Sequence, residues 1–461
     1  MSDPAAPFSA TAEEVAEICG GRVRGEPQGI RVSGVATDSR EINPGELFIA
    51  LTGEQHDGHE FLAAARDAGA AAAVVSRPDE APEGLPLIVV ADTLEALGAI
   101  AGAHRAAMQA RVVAITGSTG KTSTKDMLGR IVQSVGASVV AAGTQNNEIG
   151  VPLTLLRLRS EHRFCVVELA MRGEGEIDYL AAIARPDVGV ITNIGQSHVG
   201  RLGSREAIAQ AKAEVLAHIA SGGAAVLNAD DFFFSVFSAM ASSEVISFGT
   251  NPAAQYRAEQ IEDGGIDAVR FRLVSPEGAV DVAMNVPGRH NVLNALAAAA
   301  AAGALGVSVE NVAAALDGYE GSPMRMQRVE GRHGSLIIND AYNASPDSVE
   351  AALEVLSSTA GRKLFVFGDM LEMGPEAEEA HREIGRRIAA AGVERLVAVG
   401  ELSHLAAAEA EALGLQVDVV ADAVEVAQLL GPELRQGDVL LVKGSRGMAL
   451  ERVVEALSDD N

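Results

Sequence analysis

A glycine-rich loop between an apolar run and a helical pattern is the strongest chemical signal in this sequence. The loop is Thr116-Gly117-Ser118-Thr119-Gly120-Lys121-Thr122, and it directly follows the apolar run from Val112 to Ile115. Apolar residues then recur at helical spacing at Leu128, Ile131, Val132 and Val135. A strand that turns through such a loop into a helix leaves several backbone N–H groups free to bind an anion. Lys121 adds a positive charge and Thr122 a hydroxyl suited to Mg²⁺, so the sequence predicts a phosphate-binding loop.

The loop departs from the general phosphate-loop pattern at one position. Ile115 stands where that pattern has its first glycine, so the string that remains is GxxGKT. A glycine-rich turn that binds nothing is the alternative, and the strand before the loop and the helix after it favour the phosphate site.

Two further polar residues follow buried strands of the same predicted sheet. Glu168 comes directly after the apolar run from Phe164 to Val167, and His198 follows the run from Val188 to Ile191. Because parallel strands place their carboxyl ends at one edge of a sheet, both side chains should lie near the loop. A carboxylate and an imidazole there could bind Mg²⁺ or orient its ligands. Either residue alone could equally be structural, so the prediction depends on their shared location.

Lys212 lies on the apolar face of a predicted helix that begins near Ser204. Burial lowers the pKa of a lysine, and a neutral amine can act as a base or react with carbon dioxide to form a carbamate, which binds metals. The alternative is a side chain that extends to solvent.

The alternation of strand and helix patterns predicts three α/β domains. Their expected bounds are 1–108, 109–318 and 319–461. The central domain should contain a doubly wound, mostly parallel sheet, the last domain a Rossmann-like α/β sheet, and the first a smaller α/β fold. Polar residues follow the strands in both larger domains. We therefore expect two crevices that face each other across a hinge near 318–323, an arrangement that brings two substrates together.

Composition excludes several functional classes. The formal net charge is 36 − 63 = −27, so the surface should repel nucleic acid and anionic membranes. Cys19 and Cys165 are the only cysteines, which predicts neither a disulfide framework nor a metal cluster. Targeting and membrane-spanning patterns are missing, so we expect a cytoplasmic protein without membrane insertion.

Two polar groups in the first domain leave alternatives open. Arg40 follows Ser39 and could hold a diphosphate, or it could belong to a surface salt-bridge cluster. His56, Asp57 and His59 could bind a metal, but a polar loop before a helix is favoured.

Five longer strings give the chain a family resemblance. They are ITGSTGKTSTKDM at Ile115, NNEIGVPLTLLRL at Asn146, GRHNVLNALAAA at Gly288, DAYNASPDS at Asp340 and GDMLEMG at Gly368. Over essentially its whole length the chain resembles the ATP-dependent Mur ligases of peptidoglycan precursor synthesis. Within that family, the strings at Asn146 and Asp340 resemble those of the members that add D-alanyl-D-alanine to UDP-N-acetylmuramoyl-tripeptide.

The resemblance implies a set of site residues. ATP would contact Gly117, Ser118, Thr119, Gly120, Lys121, Thr122, Ser123, Asn291, Asn294, Arg325, Asp340 and Tyr342. Magnesium would be held by Thr122, Glu168, His198 and Lys212, the last matching a lysine that is carbamylated in related enzymes. The other substrates would contact Ser39, Arg40, Asn146 and Asn147. The residues expected to be catalytic are Lys121, His198 and Lys212.

The resemblance also implies the chemistry. The carboxylate of the tripeptide would take the γ-phosphoryl group of ATP, and the amine of D-alanyl-D-alanine would attack the acyl phosphate, with Mg²⁺ as cofactor and a monomer as the active form. A sister ligase or a folylpolyglutamate synthase would use the same architecture with another acceptor. A nucleotide-dependent binding protein would release phosphate without forming an amide.

Overall fold

The described residues form three helix-covered sheets in succession along the chain, and a small two-stranded sheet accompanies the first of them. The computed structural model describes residues 8–25, 29–53, 55–195 and 199–459. The expected three-domain, mixed α/β architecture with mostly parallel sheets is confirmed. The helices formed by the described residues include none that is both long and apolar enough to cross a membrane.

The first sheet is small and mostly parallel. Its region contains the strands Ser9–Thr11 (β1), Arg22–Arg24 (β2), Arg31–Ser33 (β3), Val35–Ala36 (β4), Leu47–Ile49 (β5), Ala72–Val75 (β6) and Leu87–Val89 (β7). The helices are Ala12–Ile18 (α1), Leu62–Asp67 (α2) and Thr93–Ala107 (α3). β1 pairs with β3, and the sheet order is β2-β7-β6-β5-β4, with β2 the antiparallel strand.

The polar loop before α2 is structural. His59 is buried, its Nδ1 lies 2.8 Å from Asp57 Oδ1, and its Nε2 accepts a hydrogen bond from the Ser76 backbone N–H at 3.0 Å. No group of three potential metal-binding side chains occurs in the described part of the chain. The favoured loop interpretation therefore agrees with the structure.

The central sheet combines a parallel body with an antiparallel edge. Its strands are Arg111–Thr116 (β8), Ser138–Val140 (β9), Phe164–Glu168 (β10), Val188–Ile191 (β11), Ala224–Asn228 (β12), Glu244–Gly249 (β13), Tyr256–Asp263 (β14), Val269–Ser275 (β15) and Gly278–Met284 (β16). The helices are Lys121–Val135 (α4), Gly150–Leu156 (α5), Glu176–Ala184 (α6), Val199–Leu202 (α7), Arg205–Ala217 (α8), Phe234–Met240 (α9), Arg289–Ala304 (α10) and Val309–Leu316 (α11). The order is β16-β15-β14-β13-β12-β11-β8-β10-β9.

Alternation along β8 shows why this sheet is covered on both faces. Val112 and Ala114 belong to one apolar core, and Val113 and Ile115 belong to the core on the opposite face. Successive side chains of a strand point to opposite faces, so an unbroken apolar run requires helices on both sides. The helix predicted after the loop is α4, which has Gly136 as its C-cap.

The antiparallel strands β14 to β16 were not predicted as a separate feature. β15 pairs antiparallel with both β14 and β16, and Ser275 at the end of β15 lies opposite Gly278 at the start of β16. Along β15, buried residues alternate with less buried ones. Such alternation is typical of a strand with one covered face, unlike the strands of the parallel body.

The last sheet is parallel except at one edge. Its strands are Gln327–Gly331 (β17), Ser335–Asp340 (β18), Arg362–Gly368 (β19), Arg395–Val399 (β20), Gln416–Val420 (β21) and Asp438–Lys443 (β22). The helices are Pro346–Ser358 (α12), Ala377–Ala390 (α13), Ser403–Ala412 (α14), Ala423–Leu430 (α15) and Glu451–Leu457 (α16). The order is β17-β18-β22-β19-β20-β21, with β17 antiparallel. The two outermost strands, β17 and β21, were missed because edge strands bury less apolar surface.

Candidate active site

The glycine-rich loop lies at the carboxyl end of β8, a strand flanked by β10 and β11. Gly117 and Gly120 both have left-handed backbone angles, with φ of 147° and 78°. A Cβ on Gly117 would stand 1.9 Å from Thr192 Oγ1, and one on Gly120 would stand 2.2 Å from Asn294 Oδ1. Backbone conformation and close packing therefore both require glycine at these two positions.

Asn193, at the end of the neighbouring strand, fixes the loop. Its side chain accepts a hydrogen bond from Thr119 N–H at 3.0 Å and donates one to Thr119 Oγ1 at 2.7 Å. Its backbone carbonyl accepts from Ser118 N–H at 2.9 Å. The Ser118 hydroxyl is buried and has no hydrogen-bonding partner among the described residues. A buried hydroxyl beside a helix N-terminus fits a phosphate oxygen.

Lys121 begins α4 and lies against its own loop. Its Nζ donates to the carbonyls of Gly117 at 2.7 Å and Ser118 at 3.3 Å. Burial lowers the pKa of Lys121; the Glu168 carboxylate opposes that shift and the Arg325 guanidinium adds to it. An anionic ligand would favour the charged form of this lysine.

Glu168 brings a buried carboxylate to the same edge, as predicted. Its Oε1 accepts from Asn146 Nδ2 at 2.8 Å and its Oε2 from Thr122 Oγ1 at 2.8 Å. The Thr122 hydroxyl also accepts from Arg325 Nη2 at 2.8 Å. A carboxylate beside a hydroxyl is an oxygen donor set that fits Mg²⁺, with phosphate and water oxygens completing its shell.

Lys212 lies in the interior, which decides between the two alternatives that the sequence left open for its side chain. It is on α8, which begins after the Ser204 cap, and it is only 1% exposed, so extension to solvent is excluded. Burial holds the pKa of Lys212 well below its ordinary value, the charge of Lys121 lowers it further, and Glu168 opposes both. His198, the other predicted metal ligand, lies outside the described residues.

Residues of α10 approach the loop from the other side. Asn291 Nδ2 donates to Pro287 O at 2.8 Å, and Asn294 Nδ2 donates to Asn291 Oδ1 at 3.1 Å. Both asparagines are buried and line the same cavity as the loop. The predicted adenine contacts and the phosphate loop are thus brought together.

The last domain closes this cavity, whose volume is about 310 Å³. Arg325 lies over the ring of Tyr342, 4.1 Å from its centroid, and both residues line the cavity with Asp340. Asp340 is ion-paired with the buried Lys443, at the end of β22. Lys443 was not among the site residues that the sequence predicted. Ser123, a predicted ATP contact, also lines the cavity.

A second cavity of about 810 Å³ adjoins the first and shares Asn146, Tyr342 and Ser345 with it. All three domains line it, the first through Leu94. Asn147 lines this cavity, while its side-chain oxygen accepts from Gly150 N–H at 2.9 Å.

Ser39 and Arg40 line neither cavity. The Arg40 guanidinium is exposed and paired with Asp38, and their hydrogen bond lowers the pKa of the Asp38 carboxyl to about 2. The structure thus contains the surface ion pair that was one of the two alternatives, and a role in binding substrate stays a prediction.

Comparisons with known proteins agree with this arrangement. Three family models match the chain: "Mur ligase family, catalytic domain" over residues 31–105, "Mur ligase middle domain" over 115–302 and "Mur ligase, glutamate ligase domain" over 324–446. The UDP-N-acetylmuramoyl-tripeptide–D-alanyl-D-alanine ligase of Escherichia coli strain K12 is 37% identical over 455 residues, 98% of this chain and 99% of that protein.

Solved structures show the same relationship. A crystal structure of MurF from Acinetobacter baumannii has a TM-score of 0.89 at 34% identity and covers 98% of this chain and 99% of its own. The MurF ligase of Thermotoga maritima in complex with ADP has a TM-score of 0.79 at 27% identity, with 92% and 96% covered. The matched models and the near-complete coverage of relatives show that this chain belongs to the Mur ligase family.

Proposed function

We propose that this chain is an ATP-dependent amide ligase that joins D-alanyl-D-alanine to UDP-N-acetylmuramoyl-tripeptide, a step of peptidoglycan precursor synthesis. The observation that carries the proposal is the pair of adjoining cavities. One is lined by the phosphate loop, Glu168 and Arg325, and the other is large enough for a peptide. Relatives that align over nearly the whole chain carry this activity in their names.

The reaction has two chemical steps. An oxygen of the peptide carboxylate attacks the γ-phosphorus of ATP, the bond to the ADP oxygen breaks, and an acyl phosphate forms. The amine of the dipeptide then attacks the acyl carbon, loses a proton, and the tetrahedral intermediate expels phosphate. Lys121 and Arg325 offset the negative charge of the phosphoryl group in the first step. Residues of the central and last domains line both cavities, and closure of these domains over the bound substrates would keep water from the acyl phosphate.

Magnesium fits the oxygen donors beside the loop. Thr122 would hold one ion, and Glu168 and His198 would hold a second, with the carbamate of Lys212 as a further ligand. When bound, the ions would neutralise negative charge on the phosphate oxygens. The low pKa of Lys212 supports the proposal, because carbon dioxide reacts with the neutral amine.

The other contacts complete the proposal. Asn291, Asn294, Asp340 and Tyr342 would hold the nucleoside, and Asn146 and Asn147 the peptide. The first domain, with Ser39 and Arg40, would hold the uridine diphosphate end of the substrate. We propose domain bounds of 1–108, 109–318 and 319–461.

The test is product formation from ATP, Mg²⁺, a UDP-N-acetylmuramoyl-tripeptide and D-alanyl-D-alanine, followed by mass spectrometry. We expect a product equal in mass to the two substrates less one water, and none when EDTA replaces Mg²⁺. Ligation of glutamate or a diamino acid instead would favour a sister ligase or a folylpolyglutamate synthase. Phosphate release without an amide would favour a nucleotide-dependent binding protein.

A further inference from the structure

The segment that connects the central and last domains lies along the helix of the phosphate loop. We call residues 317–326 the linker segment. Three residues on one face of α4, each one helical turn from the next, contact it: Thr122, Asp126 and Arg130. The linker segment is therefore held against the helix that begins at the proposed nucleotide site as it passes from the central domain to the last domain.

The middle contact joins Asp126 to a buried serine of the linker segment. Asp126 Oδ2 accepts a short hydrogen bond from the hydroxyl of Ser322, which is 5% exposed and lies 3.2 Å from the hydroxyl of the buried Tyr319. The other carboxylate oxygen of Asp126 lies 3.0 Å from the ammonium of Lys125. Asp126 thus joins α4 to the linker segment through a side chain that lines neither cavity.

One turn of chain connects this contact to the phosphate site. Arg325 N–H donates to Ser322 O at 3.2 Å, and the Arg325 guanidinium donates to Thr122 Oγ1 at 2.8 Å. The position of Ser322 against α4 therefore determines where the turn begins and where the Arg325 side chain can reach.

The backbone on both sides of Arg325 is strained. Met324 and Met326 have φ of 56° and 50°, a left-handed conformation that costs a side-chain-bearing residue about 1 kcal/mol. Gln327 accepts from Met324 N–H at 3.0 Å, and Asp340 accepts from Met326 N–H at 3.1 Å. Such a conformation persists only when its surroundings fix it, and Ser322, which donates to Asp126, begins the turn that leads into this segment.

We propose that Asp126 is a positioning residue for Arg325: by holding Ser322 against α4, it sets the guanidinium beside the phosphate loop. The inference rests on the proposed function, in which Arg325 acts on the phosphoryl group. If Asp126 acts in this way, replacing it should affect the reaction only through Arg325.

A double-mutant cycle tests this consequence. The wild type, Asp126→Ala, Arg325→Ala and the double variant are compared by kcat for ligation. The same proteins are titrated with a non-hydrolysable ATP analogue, so that the comparison does not depend on the acceptor. We expect Asp126→Ala to lower kcat about tenfold, in proportion to one lost hydrogen bond to a charged group, and to weaken binding of the analogue. When Arg325 has already been replaced by alanine, the further change Asp126→Ala should alter neither kcat nor the affinity for the analogue.

Two control variants separate positioning from loss of stability. Asp126→Asn keeps an acceptor for Ser322 and should restore most of the activity. Asp422→Ala removes a carboxylate that caps α15, in the last domain, and should lower the melting temperature without changing kcat.

The proposal would be overturned if Asp126→Ala lowered kcat and analogue binding equally with Arg325 present and with Arg325 replaced by alanine. It would also be overturned if Asp126→Ala changed neither quantity in the otherwise wild-type enzyme. Failure of the wild type to form the amide would instead refute the proposed function, while the analogue titrations would still decide the role of Asp126.

Discussion

A partly buried lysine, Lys121, and a fully buried one, Lys212, lie near the buried carboxylate of Glu168. Burial lowers the pKa of both Lys121 and Lys212, and each interacts with Glu168. Without a ligand, positive charge on these two lysines destabilises the fold because the charge is removed from water. A bound triphosphate would favour the charged form of Lys121. The arrangement is therefore one that an anionic substrate completes.

Replacing Lys121 should separate activity from folding. We expect Lys121→Ala to reduce ligation by about 100-fold or more, since it removes a fixed charge beside the transferred group. The melting temperature should change little, because the lost contacts are to the carbonyls of its own loop. Lys363→Ala is the matched control: this lysine also donates to a backbone carbonyl, that of Ser357, and the variant should keep full activity. An active Lys121→Ala enzyme would refute the assigned role.

Replacing Lys212 should stabilise the fold at neutral pH. Its folded pKa lies below the ordinary value of 10.5, so between those two pH values the unfolded chain binds a proton that the folded chain does not. The free energy of unfolding therefore rises with pH through this interval. Lys212→Met should add roughly 1–3 kcal/mol of stability at pH 7 and less near pH 10, and should abolish activity. Urea unfolding at both pH values, in buffer free of carbon dioxide, gives the measurement. A loss of stability at pH 7 would contradict a lowered pKa of Lys212 in the folded protein.

At the scale of elements, the loop depends on packing between α4 and α10. Gly120 has no room for a side chain because Asn294 lies against it. Gly120→Ala should displace Asn294 and strain the loop, raising KM for ATP about tenfold or more. Gly102→Ala is the control, since a Cβ in that turn of α3 meets nothing within 4 Å and the activity should not change. Equal KM values for the two variants would show that Asn294 does not constrain the loop.

At this scale the sequence predicts the local elements of the site but not the contacts between distant parts of the chain. β8, the loop and α4 could be predicted because their signals are local: an apolar run, glycines and a helical stripe. The approach of Asn294 to Gly120 and the pairing of Lys443 with Asp340 could not, because each joins distant parts of the chain. Likewise, the edge strands β17 and β21 carry too little buried surface to mark them in the sequence.

At the scale of the whole molecule, the last domain contacts the central domain away from the cavity as well. Gly200, in α7, meets Gly374 so closely that a Cβ on Gly200 would stand 2.3 Å from Gly374 N. Beside this contact, Arg201 pairs with Glu372, a wall residue of the second cavity. The hinge and facing crevices were predicted, whereas this contact was not, since neither turn has a pattern that identifies its partner.

Gly200→Ala should hold the domains apart. Alanine favours a helix, so the central domain itself should not lose stability, while the added Cβ collides with backbone across the interface. We expect a larger radius of gyration in solution scattering and a kcat reduced about tenfold, because an open site admits water. Gly102→Ala again serves as the control. An unchanged scattering profile with normal kcat would mean that this contact does not contribute to closure.

The most direct test of the whole account follows the oxygen atoms of the reaction. The tripeptide substrate is prepared with ¹⁸O in its terminal carboxylate and is ligated with unlabelled ATP and D-alanyl-D-alanine. The account predicts that one labelled oxygen appears in the inorganic phosphate and the other stays in the new amide, with ADP as the second product. Unlabelled phosphate alongside the amide would contradict transfer of the phosphoryl group to the peptide acid.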